Sequence, residues 1–196
     1  MKSKNLAFIG IFAALVIVLQ AIAEITRLLG LPMSLALGLI PVLVAAQLKG
    51  PKVGAAVGLV FGLTSMTLAL IAAASMPIAR VTVNPLVSVV PRILVGVVCG
   101  GVYKLSARNA VSKPRRIFNS VAATLSGIIT NTALYLGMFL AFAYGRTFEE
   151  TTIDFKWVLA SVVALNTVVE VVAFTLIVPA VVISVENWRK GNGKQI

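Results

Sequence analysis

Two charged side chains, Arg92 and Glu170, lie inside long apolar stretches of the sequence. If those stretches cross a membrane, each charge costs at least ~2.5 to 3.5 kcal/mol near a helix centre, so both should face the protein interior or a water-filled cavity. A guanidinium held in a fixed position forms paired hydrogen bonds with a carboxylate, which makes Arg92 a candidate to bind an acidic ligand. The two residues could instead pair with each other as a buried strut, and the sequence leaves both alternatives open.

Amide side chains accompany both charges at helical spacing. Asn84 precedes Arg92 by eight residues, which places the two within about 80° of each other on one helical face. Asn166 precedes Glu170 by four residues and should stack on the same face. Such a set suits a ligand with one carboxylate plus hydroxyl and amide groups, in which Glu170 either orients Arg92 or accepts a ligand hydroxyl.

Two further apolar stretches contribute polar groups, Gln20 with Glu24 in one and Thr130 with Asn131 in the other. So many buried groups would need an unusually complete internal network, whereas a polar small ligand would satisfy them directly. For Thr130 alone, a hydrogen bond to a neighbouring helix is the simpler explanation. The candidate substrate-binding residues are therefore Gln20, Asn84, Arg92, Thr130, Asn131, Asn166 and Glu170.

Small residues recur at helical spacing in two places. Ala7, Gly10 and Ala14 form one stripe, which allows another helix to approach closely and could serve either internal packing or a partner subunit. A second stripe with a four-residue period, Gly54, Gly58 and Gly62, predicts packing inside the protein.

The elements that hold these residues are membrane helices. Of 196 residues, 59% are hydrophobic and 12% charged, and the mean hydropathy of +1.02 is that of an integral membrane protein. Histidine is absent and Cys99 is the single cysteine, which excludes disulfides, zinc clusters, haem ligation and Cys/His nucleophiles. We therefore expect no metal, no cofactor in this chain and no enzymatic activity. Without a P-loop motif, any ATP must be used by partner subunits.

Apolar stretches, and the charged, glycine and proline residues that separate them, predict a single all-α domain covering residues 1–196. Six transmembrane helices place both termini on one side of the membrane. We predict the helices at about residues 6–26, 34–49, 52–75, 85–105, 115–144 and 156–186.

The charged residues that give the net charge of +11 divide by loop between the two sides of the membrane. On one side, a single acid, Glu186, opposes the basic residues Lys2, Lys4, Lys49, Lys52, Lys104, Arg108, Lys113, Arg115, Arg116, Arg189, Lys190 and Lys194. On the other side, the bases Arg27, Arg80, Arg146 and Lys156 balance the acids Glu24, Glu149, Glu150 and Asp154. Since basic residues accumulate in cytoplasmic loops, both termini are predicted to be cytoplasmic in a multi-pass protein of the cell membrane.

Several of these segments resemble one family of membrane proteins, the substrate-binding S components of energy-coupling factor (ECF) vitamin transporters. The similar segments are residues 49–65 (KGPKVGAAVGLVFGLTS), residues 83–96 (VNPLVSVVPRILVG), the triplet Thr130-Asn131-Thr132, and Asn166 with Glu170. The resemblance extends over about residues 6–186 and is strongest to the pantothenate-type subgroup.

The resemblance implies a six-helix bundle that binds a vitamin in its extracellular half, under the loops that follow helices one, three and five. It also implies docking on a membrane-embedded coupling (T) subunit that carries two ATPase subunits. In that family, small residues of the first helix form much of the docking surface, which favours a partner role for Ala7, Gly10 and Ala14. Pantothenate is the first choice of substrate, with the carboxylate at Arg92.

Two other interpretations remain open at this stage. Within the family, riboflavin, folate or cobalamin could be the substrate in place of pantothenate. Outside the family, a self-sufficient secondary transporter could be driven by protons through Glu170, although the sequence has no evident inverted repeat.

Overall fold

The structure, a computed structural model, describes residues 3–28, 36–107, 112–148, 151–156 and 165–191. Within these ranges the chain is almost entirely helical, which confirms the predicted all-α class. The helices are α1 (Ser3–Leu28), α2 (Leu39–Lys49), α3 (Pro51–Ala72), α4 (Ala79–Thr82), α5 (Pro85–Ser88), α6 (Val90–Ala107), α7 (Lys113–Ala143) and α8 (Leu165–Gly191). A short antiparallel hairpin, β1 (Thr147–Phe148) with β2 (Thr151–Thr152), follows α7 and was not predicted.

Five segments of the described chain are long and apolar enough to cross a membrane. They are Asn5–Thr26, Pro51–Ala72, Pro85–Ser106, Lys113–Ala143 and Val168–Arg189. The shorter apolar helix α2 has 11 residues, so at 1.5 Å per residue it covers about 16 Å, roughly half of a bilayer core of about 30 Å.

Helix α2 is nonetheless the most enclosed element of the fold. Eight of its residues are buried, and Leu39, Val42 and Leu43 have no exposed surface. It packs against α1, α3, α6 and α8. The helix begins at the level of Phe61, since a Cβ atom added to Gly38 would lie 2.8 Å from that ring. The centre of the hydrophobic core therefore surrounds a helix that starts midway along its neighbours.

Helices α3 and α6 cross at very short range because glycines line the contact. A Cβ atom at Gly62 would lie 2.7 Å from the Cα of Val89, and one at Gly58 would collide with the carbonyl group of Arg92. Gly54 likewise faces Gly96 of α6. The stripe of Gly54, Gly58 and Gly62 thus packs inside the bundle, as predicted, and it fixes the backbone at Arg92.

Three helix ends meet at the carboxylate of Glu186 on α8. Tyr103 of α6 donates a 2.7 Å hydrogen bond to one carboxylate oxygen, and Arg116 of α7 forms an ion pair with the other. Lys49, at the end of α2, lies 5.5 Å above the ring of Phe8 near the start of α1. The end of α8 therefore lies beside α6 and α7, and the start of α1 lies beside the end of α2, close to the basic loops.

We call this part of the molecule the basic end. It carries Lys49, Lys52, Lys104, Lys113, Arg115, Arg116 and Arg189. A Cβ atom at Gly100 of α6 would lie 2.8 Å from the Cα of Pro51, which brings the turn between α2 and α3 to the same end. The opposite end contains the residues that follow α3 and α7.

Several predicted boundaries differ from the structure. The second helix begins at Leu39 rather than at residue 34, because residues 36–38 form a turn; residues 34 and 35 lie outside the described ranges. The third ends at Ala72 rather than at residue 75 and is followed by turns. The segment predicted as one helix over residues 85–105 is divided at Val89, just before Pro91, into α5 and α6.

The predicted last helix, residues 156–186, overlaps α8 and extends farther along the chain in the structure, to Gly191. Residues 157–164 of that prediction lie outside the described ranges. The first and fifth helices match α1 and α7 within three residues at each end.

Candidate functional site

A cavity of about 290 Å³ opens between α1, α3, α6 and α7, away from the basic end. Its polar and charged lining residues are Gln20, Glu24, Ser65, Thr82, Arg92 and Tyr135. Its apolar lining residues are Ala23, Ala36, Phe61, Leu68, Ala69, Ala72, Met76 and Ala79. The volume is that of a site for a small molecule, with a few polar groups on a mainly apolar wall.

Helix α3 gives the cavity its long axis. Phe61, Ser65, Leu68 and Ala72 recur every three or four residues, so they lie along one face of the helix. Arg92 lies at the Phe61 level, because its guanidinium carbon is 5.5 Å from the centre of that ring. The cation therefore occupies the deep end of the cavity, and the α3 wall toward Ala72 is apolar, with Leu68 and Ala69.

A backbone carbonyl one turn earlier in the chain holds the Arg92 side chain in place. Pro91 has no N–H group, so the carbonyl of Val87, four residues earlier, lacks the usual helical donor. The Nη1 group of Arg92 donates to that carbonyl at 3.0 Å. The side chain is only 8% exposed, and its Nε atom has no partner within the described residues. The guanidinium therefore keeps one hydrogen-bond donor, Nε, without a partner in the described chain, beside a cavity.

Two aromatic rings flank the same guanidinium. Its central carbon lies 4.6 Å from the ring centre of Tyr135 and 5.5 Å from that of Phe61. Both distances are in the range of a cation–π interaction. Electrostatic attraction to the rings thus stabilises the charge without neutralising it.

Glu170 contacts a different group. Its Oε1 atom accepts a 2.7 Å hydrogen bond from the backbone N–H of Ala36, which lines the cavity just before α2. Although Glu170 and Arg92 are close enough to interact electrostatically, they form no direct ion pair in the described part of the chain. The buried strut that the sequence allowed is therefore not formed, and Glu170 instead joins α8 to the turn before α2.

Gln20 and Asn131 are also buried near this site. The amide nitrogen of Gln20 donates to the hydroxyl of Ser65 at 2.8 Å, which links α1 to α3 across the cavity wall. Asn131 is 7% exposed, and its Oδ1 atom has no partner among the described residues. It does not line the cavity itself, but it lies one helical turn before Tyr135 on α7.

The buried polar residues near the basic end are fully paired, unlike those at the cavity. Gln47 donates to the hydroxyl of Thr124 at 3.0 Å and accepts from that of Ser120 at 2.5 Å. The buried side-chain atoms without a partner in the described chain are Arg92 Nε, Asn131 Oδ1 and Thr175 Oγ1. Among the described residues, unused hydrogen-bonding capacity is therefore found at the cavity, on the helix that contributes Tyr135 to it and, with Thr175, on α8.

Two predicted site residues lie outside the cavity lining and are engaged locally. The side chain of Asn84 accepts a 3.0 Å hydrogen bond from the N–H of Leu86 and caps α5. Thr130 donates to the carbonyl of Ser126 in its own helix at 2.7 Å. Both polar groups thus have an intramolecular role. The side chain of Asn166 lies outside the described part of the structure.

Sequence reasoning missed four polar or aromatic lining residues, Phe61, Ser65, Thr82 and Tyr135. Tyr135 follows Asn131 by four residues, so the spacing rule that paired Asn166 with Glu170 would have found it. Glu24 also lines the cavity and follows Gln20 by four residues, a pair that the sequence did indicate. No spacing signal marks Thr82, which lies at the end of the short helix α4.

The first small-residue stripe lies on the outside of the bundle. Ala7, Gly10 and Ala14 are exposed, and a Cβ atom at Gly10 would meet nothing within 4 Å. Among the described helices, the stripe is therefore not used for internal packing.

Comparison with known proteins gives two matches. The family model described as "ECF transporter, substrate-specific component" matches residues 4–182. The pantothenic acid transporter PanT of Lactococcus lactis subsp. cremoris (strain MG1363) is 26% identical over 204 aligned positions, which cover 97% of this chain and 98% of that protein.

Proposed function

The chain belongs to the family of substrate-specific components of ECF transporters, and on this premise we propose that it binds pantothenate for ATP-driven uptake. Membership makes it a multi-pass membrane protein and a transporter component rather than an enzyme. The similarity to a pantothenic acid transporter over nearly the full length of both proteins supports this substrate.

The observation that carries the proposal is a buried cation with an unused donor in the wall of a small cavity. Pantothenate has one carboxylate, one amide and two hydroxyl groups. Arg92 would bind the carboxylate, while Gln20, Ser65 and Thr82 supply amide and hydroxyl groups along the wall. The apolar residues toward Ala72 suit the two methyl groups of the pantoate half.

Among the candidates from the sequence, Asn131 and Glu170 are proposed as supporting residues. The Oδ1 atom of Asn131, which has no partner among the described residues, would help to orient the polar groups of the ligand near Tyr135. Glu170 would hold the turn before α2 against the cavity. Asn84 and Thr130 are proposed to shape the neighbouring backbone, because their polar groups are already engaged.

We further propose that the basic end is cytoplasmic and that the cavity opens outside the cell membrane. The excess of lysine and arginine at one end supports this orientation. The chain would use a coupling subunit and two ATPase subunits for energy and would need no cofactor of its own. The exposed stripe of Ala7, Gly10 and Ala14 would form part of the docking surface.

A binding measurement on the purified protein tests the substrate. Titration with pantothenate, riboflavin, folate and cobalamin should give a Kd below 1 micromolar for pantothenate alone. Arg92→Ala should weaken pantothenate binding by about 100-fold or more, since it removes the partner of a buried charge. Arg115→Ala, which removes an exposed arginine at the basic end, is the matched control and should leave the Kd unchanged. Tight binding of another vitamin would replace pantothenate in the proposal.

Uptake into vesicles tests the energy source. The chain alone should bind pantothenate without accumulating it, and accumulation should require the coupling module and ATP. Accumulation by the chain alone in a pH gradient would support the rival secondary transporter instead.

A further inference from the structure

We propose that Tyr135 is a positioning residue that sets the preference of the cavity for an anion, because it holds the Arg92 guanidinium without neutralising it. The identity of the anion rests on the proposed function, but the positioning of the guanidinium does not. Tyr135 was not among the residues that the sequence singled out.

A cation buried away from water must be stabilised by its surroundings. A neighbouring carboxylate would do so, but it would also occupy the donors that a carboxylate ligand needs. At Arg92 the contacts are the ring of Tyr135 at 4.6 Å, the ring of Phe61 at 5.5 Å and the Val87 carbonyl at 3.0 Å. All three attract the cation, and none has a net negative charge. The positive charge therefore remains available to the ligand.

Glu170, the acid that interacts electrostatically with Arg92, is engaged elsewhere. Glu170 accepts the N–H of Ala36 at 2.7 Å and forms no ion pair with the arginine in the described chain. The aromatic contacts thus fill the position that a competing carboxylate would take.

Of the two rings, Tyr135 is the one whose removal isolates this effect. Phe61 is only 1% exposed and lies close to Gly38, so its truncation would open the core. Tyr135 is partly buried, lines the cavity and is closer to the cation. Its hydroxyl lies 3.4 Å from that of Thr82, a contact that helps to fix the ring.

The test compares an acid with its neutral analogue. Pantothenate and panthenol differ only in that CH₂OH replaces the carboxylate. In Tyr135→Leu the affinity for pantothenate should fall about tenfold, as expected for loss of a desolvated cation–π contact, while the affinity for panthenol changes much less. Tyr135→Phe, which keeps the ring, should keep the acid preference. Tyr144→Leu, an exposed tyrosine at the end of the same helix, is the matched control. An unchanged acid-to-alcohol ratio in Tyr135→Leu would overturn the proposal.

A second measurement requires no ligand. In protein labelled with ¹⁵N-arginine, the side-chain Nε–H resonance of Arg92, identified by its absence in Arg92→Lys, should be shifted upfield by the Tyr135 ring. The shift should persist in Tyr135→Phe and disappear in Tyr135→Leu. If the resonance is the same in all three proteins, the ring does not position the guanidinium. If the wild type binds no vitamin, the proposed function fails, but this measurement still decides the positioning role.

Discussion

Arg92 shows how a single backbone atom prepares a side chain for ligand binding. Pro91 cannot donate to the Val87 carbonyl, and Arg92 donates to it instead. The proline thus provides the acceptor that anchors one end of the guanidinium.

Replacement of this proline should therefore separate stability from binding. In Pro91→Ala the new N–H group competes with Arg92 for the Val87 carbonyl, so the guanidinium loses its anchor. We expect pantothenate affinity to fall roughly tenfold, in line with a hydrogen bond to a charged group, while thermal stability is unchanged or higher. Titration calorimetry and thermal unfolding of the same samples measure both effects.

Pro179→Ala is the control for this prediction, because Pro179 lies inside α8 and does not line the cavity. It should alter stability alone. Equal losses of affinity in the two variants would show that Pro91 has no special relation to Arg92.

The same segment explains which site residues the sequence could identify. Arg92 and Glu170 were recognisable because a charge in an apolar stretch needs a specific environment. The face shared by Asn84 and Arg92 was inferred from a continuous helix, but Pro85 begins a new short helix and the chain turns at Val89. Asn84 therefore became a helix cap. Residue spacing no longer gives the angle between two side chains where a proline begins a new helix.

At the scale of elements, the crossing of α3 and α6 determines where Arg92 lies. The glycines of α3 let the backbone of α6 approach so closely that no side chain fits between them. The depth of the cation in the cavity is therefore a property of the helix pair as much as of the arginine.

A single methyl group at this crossing should disturb both the fold and the site. In Gly62→Ala the added Cβ atom meets the backbone of Val89 at 2.7 Å, and backbone cannot rotate away as a side chain can. We expect a loss of about 1 to 3 kcal/mol in stability and weaker pantothenate binding, measured by thermal unfolding and titration.

Gly101→Ala provides the comparison, since an added Cβ atom there meets nothing within 4 Å. It should be neutral or slightly stabilising because alanine favours a helix more than glycine does. If Gly62→Ala behaves in the same way, the close crossing does not constrain the site.

Helix positions were predictable to the extent that apolar length defines them, and less so where the chain turns inside the membrane. The beginning of α2 was placed too early because residues 36 and 37, Ala and Leu, are as apolar as the helix itself. Two tertiary contacts set the point at which the helix begins: the N–H of Ala36 donates to Glu170, and Gly38 lies close to Phe61. Hydropathy contains no information about either contact.

At the scale of the whole molecule, charge and polarity are divided between the two ends. One end concentrates the basic residues, and the other contains the cavity with Arg92, which forms no ion pair within the described ranges. This division predicts the orientation in the membrane.

Labelling of single cysteines in intact cells tests that orientation. A membrane-impermeant maleimide should react with Thr147→Cys, in the hairpin after α7, and not with Ser112→Cys, which precedes α7 at the basic end. The native Cys99 is fully buried, and the unmodified protein should therefore remain unlabelled. The reverse pattern would place the cavity in the cytoplasm and contradict uptake from outside.

The short helix α2 also has a consequence for the electrical work of binding. In the proposed orientation, the membrane potential opposes the inward movement of an anion by about 2.3 kcal/mol per 100 mV for a full crossing. Because α2 begins about midway along the neighbouring helices, at the level of Phe61 and Arg92, a carboxylate that reaches Arg92 through the cavity would cross only part of this field. The remaining part would be crossed later, when the proposed ATPase subunits supply the energy.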